Sequence, residues 1–69
     1  MSNFILTFDW EEKATVMKAL KKVPGIKITS IPRRNGTLNL KTTTKNLGDE
    51  TNAIKTVEDL VGVMDLTLV

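Results

Sequence analysis

The chain is 69 residues long with a formal net charge of +2; that length suits a single domain, 1–69, with a thin core. It contains no Cys and no His, which excludes a disulfide framework, thiolate or imidazole metal ligation and His-based catalysis. No stretch reaches the ~20 apolar residues of a membrane span, and the N-terminus lacks the charged, apolar, small-residue order of a signal peptide, so a soluble cytoplasmic protein is expected.

Phe4, Leu6 and Phe8 alternate with Asn3, Ile5 and Thr7, the period of a strand buried on one face. Asp9 follows as a helix N-cap, with Glu12 at the capping-box spacing. Ala14, Val16, Met17, Leu20 and Val23 form the apolar stripe of a helix over 10–22, which Pro24-Gly25 stops. Trp10, in its first turn, is expected to cover the end of the core. Alternating runs at 26–32 and 37–43 flank Asn35-Gly36, a hairpin signal. In these runs Ile26, Ile28, Leu38 and Leu40 face inward, opposite Lys27, Thr29, Thr37, Asn39 and Lys41. Asn46 caps a second helical pattern at 47–61, whose inward residues are Ala53, Ile54, Val57, Leu60 and Val61. A last run at 63–69 places Met64, Leu66 and Leu68 inward and Val63, Asp65 and Thr67 outward.

The order is βαββαβ, which predicts an α+β, ferredoxin-like sandwich: a four-stranded antiparallel sheet of order 4-1-3-2 with two helices on one face. Pro32 suits an edge strand. The opposite face is expected to stay open and mostly polar, with Ile5 and Ile31 as its apolar members. The same topology gathers Asp9, Glu11, Glu12, Glu58, Asp59 and Asp65 at one end, six of the chain's eight acids, beside Arg33 and Arg34. Such a cluster would steer a cationic partner despite the positive net charge.

Val23-Pro24-Gly25 after an amphipathic helix, Gly36-Thr37-Leu38-Asn39-Leu40 at the hairpin exit, and the run from Val61-Gly62-Val63 to Leu68-Val69 resemble the NapD family. These are small cytoplasmic chaperones for the catalytic subunit of periplasmic nitrate reductase, and the similarity covers almost the whole chain. The resemblance implies a binding protein, not an enzyme, with no cofactor or metal of its own. Its partner would be the twin-arginine signal peptide of a nitrate reductase precursor, held until the molybdenum cofactor is inserted. On this reading the carboxylates of Asp65, Asp9 and Glu12 receive the guanidinium groups, since arginine pairs with carboxylate in a bidentate fork. Ile5, Thr7, Lys27, Thr29, Asn39 and Thr67 form the floor.

Three other classes share the topology. Metallochaperones need a Cys-x-x-Cys pair where this chain has Asp9-Trp10-Glu11-Glu12. RNA-recognition domains stack bases on aromatics where this chain has Leu38 to Lys41, so no nucleic-acid partner is expected. An ACT-like regulatory module would pair edge strands into a dimer around a small ligand, and the exposed edges keep that alternative open. A monomer or weak dimer is expected.

Overall fold

A computed structural model of the chain describes residues 2–69. Six elements follow in the order β1 (Asn3–Phe8), α1 (Lys13–Lys22), β2 (Ile26–Ile28), β3 (Thr37–Thr42), α2 (Leu47–Glu58) and β4 (Val63–Leu68), with a 3-10 turn over Trp10–Glu12 before α1. The sheet order is β2-β3-β1-β4, which read from the opposite edge is β4-β1-β3-β2, and every neighbouring pair is antiparallel. This α+β arrangement, with β3 and β1 central, is compatible with a ferredoxin-like fold.

Alternation decides which face is buried. Phe4, Leu6, Phe8, Leu38 and Leu40 are buried together with Val16 and Leu20 of α1, Val23 just after it, and Ala53 and Val57 of α2. Both helices therefore cover one face, and the residues between those five strand positions lie on the other. α1 packs against β2 and α2 against β4.

Asn46 caps α2 as its residue type predicts. Its Oδ1 accepts from the Asp49 amide at 2.8 Å, and its amide group donates to Asp49 Oδ2 at 2.9 Å. Asp9 also caps, accepting from the Glu11 amide at 3.1 Å, but the expected capping box does not close. The Asp9 amide is already taken by the Gly62 carbonyl at 2.9 Å, so Glu12 has no orphan donor to satisfy, and the first turn tightens into 3-10 geometry.

Several other expectations need correction. β2 stops at Ile28 instead of running to residue 32. The Ser30 hydroxyl takes the Asn39 amide at 3.0 Å, and Pro32 has no N–H to offer, so the ladder is interrupted. α2 ends at Glu58, which leaves Val61 in the following turn and exposed; Ala14 is exposed as well. In β4 the register shifts between Thr7 and Phe8, so that Phe8 pairs with Val63 and not with Met64. The bulge turns Val63 toward the core and leaves Met64 70% exposed. Leu68 pairs with Phe4 yet is 65% exposed, because it lies on the edge strand beyond helix cover.

A buried hydroxyl ties Ser2, ahead of β1, to β3 and α2. Thr42, at the end of β3, accepts from the Ser2 amide at 2.8 Å and donates to the Glu50 carboxylate of α2. The Thr42 bond is the main reason the Glu50 carboxyl is held below its ordinary value of 4.5, with Ser2 adding to it; burial pulls weakly the other way. A carboxyl whose folded pKa is depressed supplies stability above its unfolded pKa, and that stability is lost as pH falls through the folded value. Urea denaturation between about pH 3 and pH 6 should show stability declining toward acid, and Glu50→Gln should flatten part of that decline. An unchanged slope would remove the linkage.

Gly36 supplies the other fixed point. It sits at φ +83°, and an added Cβ would lie 2.5 Å from the Phe8 carbonyl oxygen. That oxygen is backbone of the central strand and has little room to retreat. Gly36→Ala should therefore cost about 2–4 kcal/mol by denaturant titration, the sum of a positive-φ penalty and a forced contact.

Candidate functional site

The open face is a grid that the registers define. Toward one end lie Lys27, Lys41 and Asn3; across the middle lie Asn39, Ile5 and Thr67; toward the other end lie Thr37, Thr7 and Asp65. Thr29 extends the middle row, its amide donating to the Asn39 carbonyl at 2.9 Å. Ile5 is 37% exposed at the centre. The seven sequence-predicted residues Ile5, Thr7, Lys27, Thr29, Asn39, Asp65 and Thr67 thus share one surface.

The other two belong elsewhere. Asp9 leaves the end of β1 and is bound to the Gly62 carbonyl. The Cβ of Glu12 lies within 2.8 Å of where a Cβ on Gly62 would stand, which puts Glu12 in the helix layer. Asp9 and Glu12 therefore meet at Gly62, while Asp65, opposite Thr7, opens at the same end on the bare side of the sheet. Asp65 accepts from the Thr67 hydroxyl at 3.1 Å, a bond that fixes its direction and leaves its other oxygen available. Trp10 stands beside this end, with its ring 6.2 Å from that of Phe8 and the Lys13 ammonium 5.0 Å from its centroid. It covers the end of the core and stays 36% exposed.

Two features of the face were not anticipated. Arg33 folds back from the hairpin and donates to Asn39 Oδ1 at 3.1 Å. Lys27 stands directly opposite Lys41. The face is consequently divided by sign: the β2–β3 half carries three cations and the β4 corner carries a carboxylate. Lys27 and Lys41 could not be paired from the pattern, because their register depends on the irregular Ser30–Pro32 segment. Four residues separate Ile28 from Arg33 where two separate Leu40 from Thr37.

A shallow hollow of about 270 Å³ opens beside Ile5, lined by Asn3, Thr29, Asn39 and Val69 as well. Between the Asp65 corner and this hollow, β1 and β4 offer an extended track of three or four residues. A second hollow, of about 290 Å³, lies on the helix side between Pro24-Gly25 and α2. There the Thr44 hydroxyl is buried without a partner. Among the described residues, no group of three or more Asp or Glu is spaced to hold a metal ion, and no helix is long and apolar enough to cross a membrane.

The opposed lysines give this surface a measurable signature, since like charges directly across an antiparallel pair repel. Lys27→Glu should raise stability by about 0.3–1 kcal/mol at low salt, and the gain should shrink at high salt. A neutral or destabilising result in urea titrations would mean that the two ammonium groups avoid one another.

The chain matches no family model, no curated protein and no solved structure.

Proposed function

We propose that this ferredoxin-like domain is a cytoplasmic, peptide-binding assembly chaperone of the NapD kind. It receives the twin-arginine signal peptide of a nitrate reductase precursor on its open face and delays export until the cofactor is in place. The observation that carries the reading is the division of that face by charge, with Asp65 at one corner of an otherwise neutral track along β1 and β4.

The mechanism follows from the track. A guanidinium entering at the β4 corner meets the Asp65 carboxylate, with Asp9 at the adjoining rim; a planar fork of donors suits carboxylate acceptors. The apolar residues after the arginines run past Ile5 and Thr67 toward the hollow at Asn3 and Val69. Lys27, Lys41 and Arg33 repel a cationic segment from the β2–β3 half, which fixes the peptide's lateral position. Glu12, in the helix layer, contributes to the local field and not to direct contact.

Titration calorimetry with a synthetic twin-arginine signal peptide tests the assignment. Asp65→Asn should weaken binding about tenfold and Asp9→Asn less, as loss of a charge-assisted bond implies. Glu12→Gln should change it less than about twofold, since a field effect from an exposed charge is largely screened. Trp10 fluorescence gives a second readout beside the same corner. Equal affinity for the wild type and the Asp9→Asn/Asp65→Asn double variant, with the fold intact, would overturn the reading. So would the absence of any peptide binding.

A further inference from the structure

The two edges of the sheet are unequally protected. The β2 edge is three residues long, carries Lys27, and ends in the irregular segment containing Pro32; short length, lysine and proline all discourage further strand pairing. β4 is six residues long, Val63–Leu68, with no lysine, arginine or proline among them. Its bulge lies at the start, opposite Phe8, and the register is regular from Asp65 onward.

The backbone of β4 shows what the free side offers. The Val69 amide donates to the Asn3 carbonyl at 2.9 Å, and Thr67 and Asp65 stand opposite Ile5 and Thr7. Hydrogen-bonded and non-bonded pairs alternate in an antiparallel ladder. The amides and carbonyls of Asp65, Thr67 and Val69 therefore turn to β1, and those of Leu66 and Leu68 turn outward, where no strand lies among the described residues. Alongside them Met64 and Leu68 are 70% and 65% exposed, and Val69 is exposed too.

We propose that β4 is a self-association edge: a second copy of this chain pairs with it antiparallel, Leu66 opposite Leu66 of the copy. Three features of the strand select its own copy as the occupant. The outward groups of Leu66 then exchange both bonds across the two-fold axis, as an isologous contact requires. Leu68 faces Met64 of the copy, so the two most exposed apolar side chains of the strand cover one another. Asp65 falls opposite Thr67 of the copy, a neutral residue whose hydroxyl stays on Asp65 of its own chain, so no like charges meet. The two Asp65 carboxylates sit diagonally, about 7–8 Å apart, and avoid direct opposition. The contact extends the sheet to eight strands and leaves the open face of each copy uncovered. It borders that face at Asp65, but its bonds are those of the Leu66 and Leu68 backbone in the plane of the sheet.

An interface of one strand pair and a few apolar side chains lies at the small end of specific contacts, so the dissociation constant falls in the range of about 10–100 μM. Sedimentation equilibrium of the intact chain should give an average mass that climbs toward twice the monomer value across that range. Amide exchange should slow with concentration at Leu66 and Leu68, while Asp65 and Thr67 stay protected throughout. Leu68→Lys should raise the dissociation constant at least tenfold, and Met64→Lys, at an equally exposed position, repeats the test should the first variant fold poorly. A monomer at every concentration would overturn the proposal, as would a dimer without concentration-dependent protection at Leu66 and Leu68. So would a dimer indifferent to both substitutions.

Discussion

Successive amides at the end of the central strand donate in opposite directions. Phe8 gives its N–H to the Gly36 carbonyl at 2.8 Å, and Asp9 gives its own to the Gly62 carbonyl at 2.9 Å. Both glycines have positive φ, a backbone state that other residues adopt only at a cost. Each also stands where a Cβ would strike a neighbour, the Phe8 carbonyl at Gly36 and Glu12 with Val16 at Gly62. The hairpin, the α2–β4 turn and the entry to α1 are thereby held to one point. The position of Asp9, the placement of Glu12 behind the rim and the opening of Asp65 on the bare side all descend from this double clamp.

Charge distribution, not net charge, gives the surface its character. A formal charge of +2 describes neither half of the open face, since Lys27, Lys41 and Arg33 occupy one side and Asp65 the other. Arg33 is drawn across the face by Asn39 and Thr37, so a hairpin residue becomes part of the sheet surface. At such separations, in water and salt, each charge acts mainly on what approaches within a Debye length. The field of this surface is therefore local, and its sign changes across the strands from β2 and β3 to β4.

The element order, the buried set Phe4, Leu6, Phe8, Val16, Leu20, Leu38, Leu40 and Val57, and the Asn46 cap were legible because each rests on a local rule of period or capping. What stayed illegible depended on contacts distant in sequence. The Met64 bulge is imposed by β1, and the failed capping box at Asp9 by Gly62. The Lys27–Lys41 register follows from how Ser30 replaces a strand partner. The candidate site divides the same way. Alternation correctly put Ile5, Thr7, Asn39, Asp65 and Thr67 on one face, but nothing local marks Glu12 as lying on the wrong side of the rim or Arg33 as reaching the floor.

Two helices of ten and twelve residues cannot roof four strands completely, and the shortfall is not shared evenly. β2 ends where its strand partner is replaced by a serine hydroxyl, so little of its outer edge needs cover. β4 keeps its full length, and at Leu68 it runs past α2 with apolar side chains in water. In a domain this small the burial each residue supplies matters more than in a large one. An uncovered strand of this composition is therefore a place where adding a neighbour recovers burial that the monomer lacks. That recovery would act at the edge of the sheet, whereas the proposed peptide recognition would act on its face. The two can coexist because β4 turns Asp65 and Thr67 toward the face and directs the free backbone groups of Leu66 and Leu68 into the plane of the sheet.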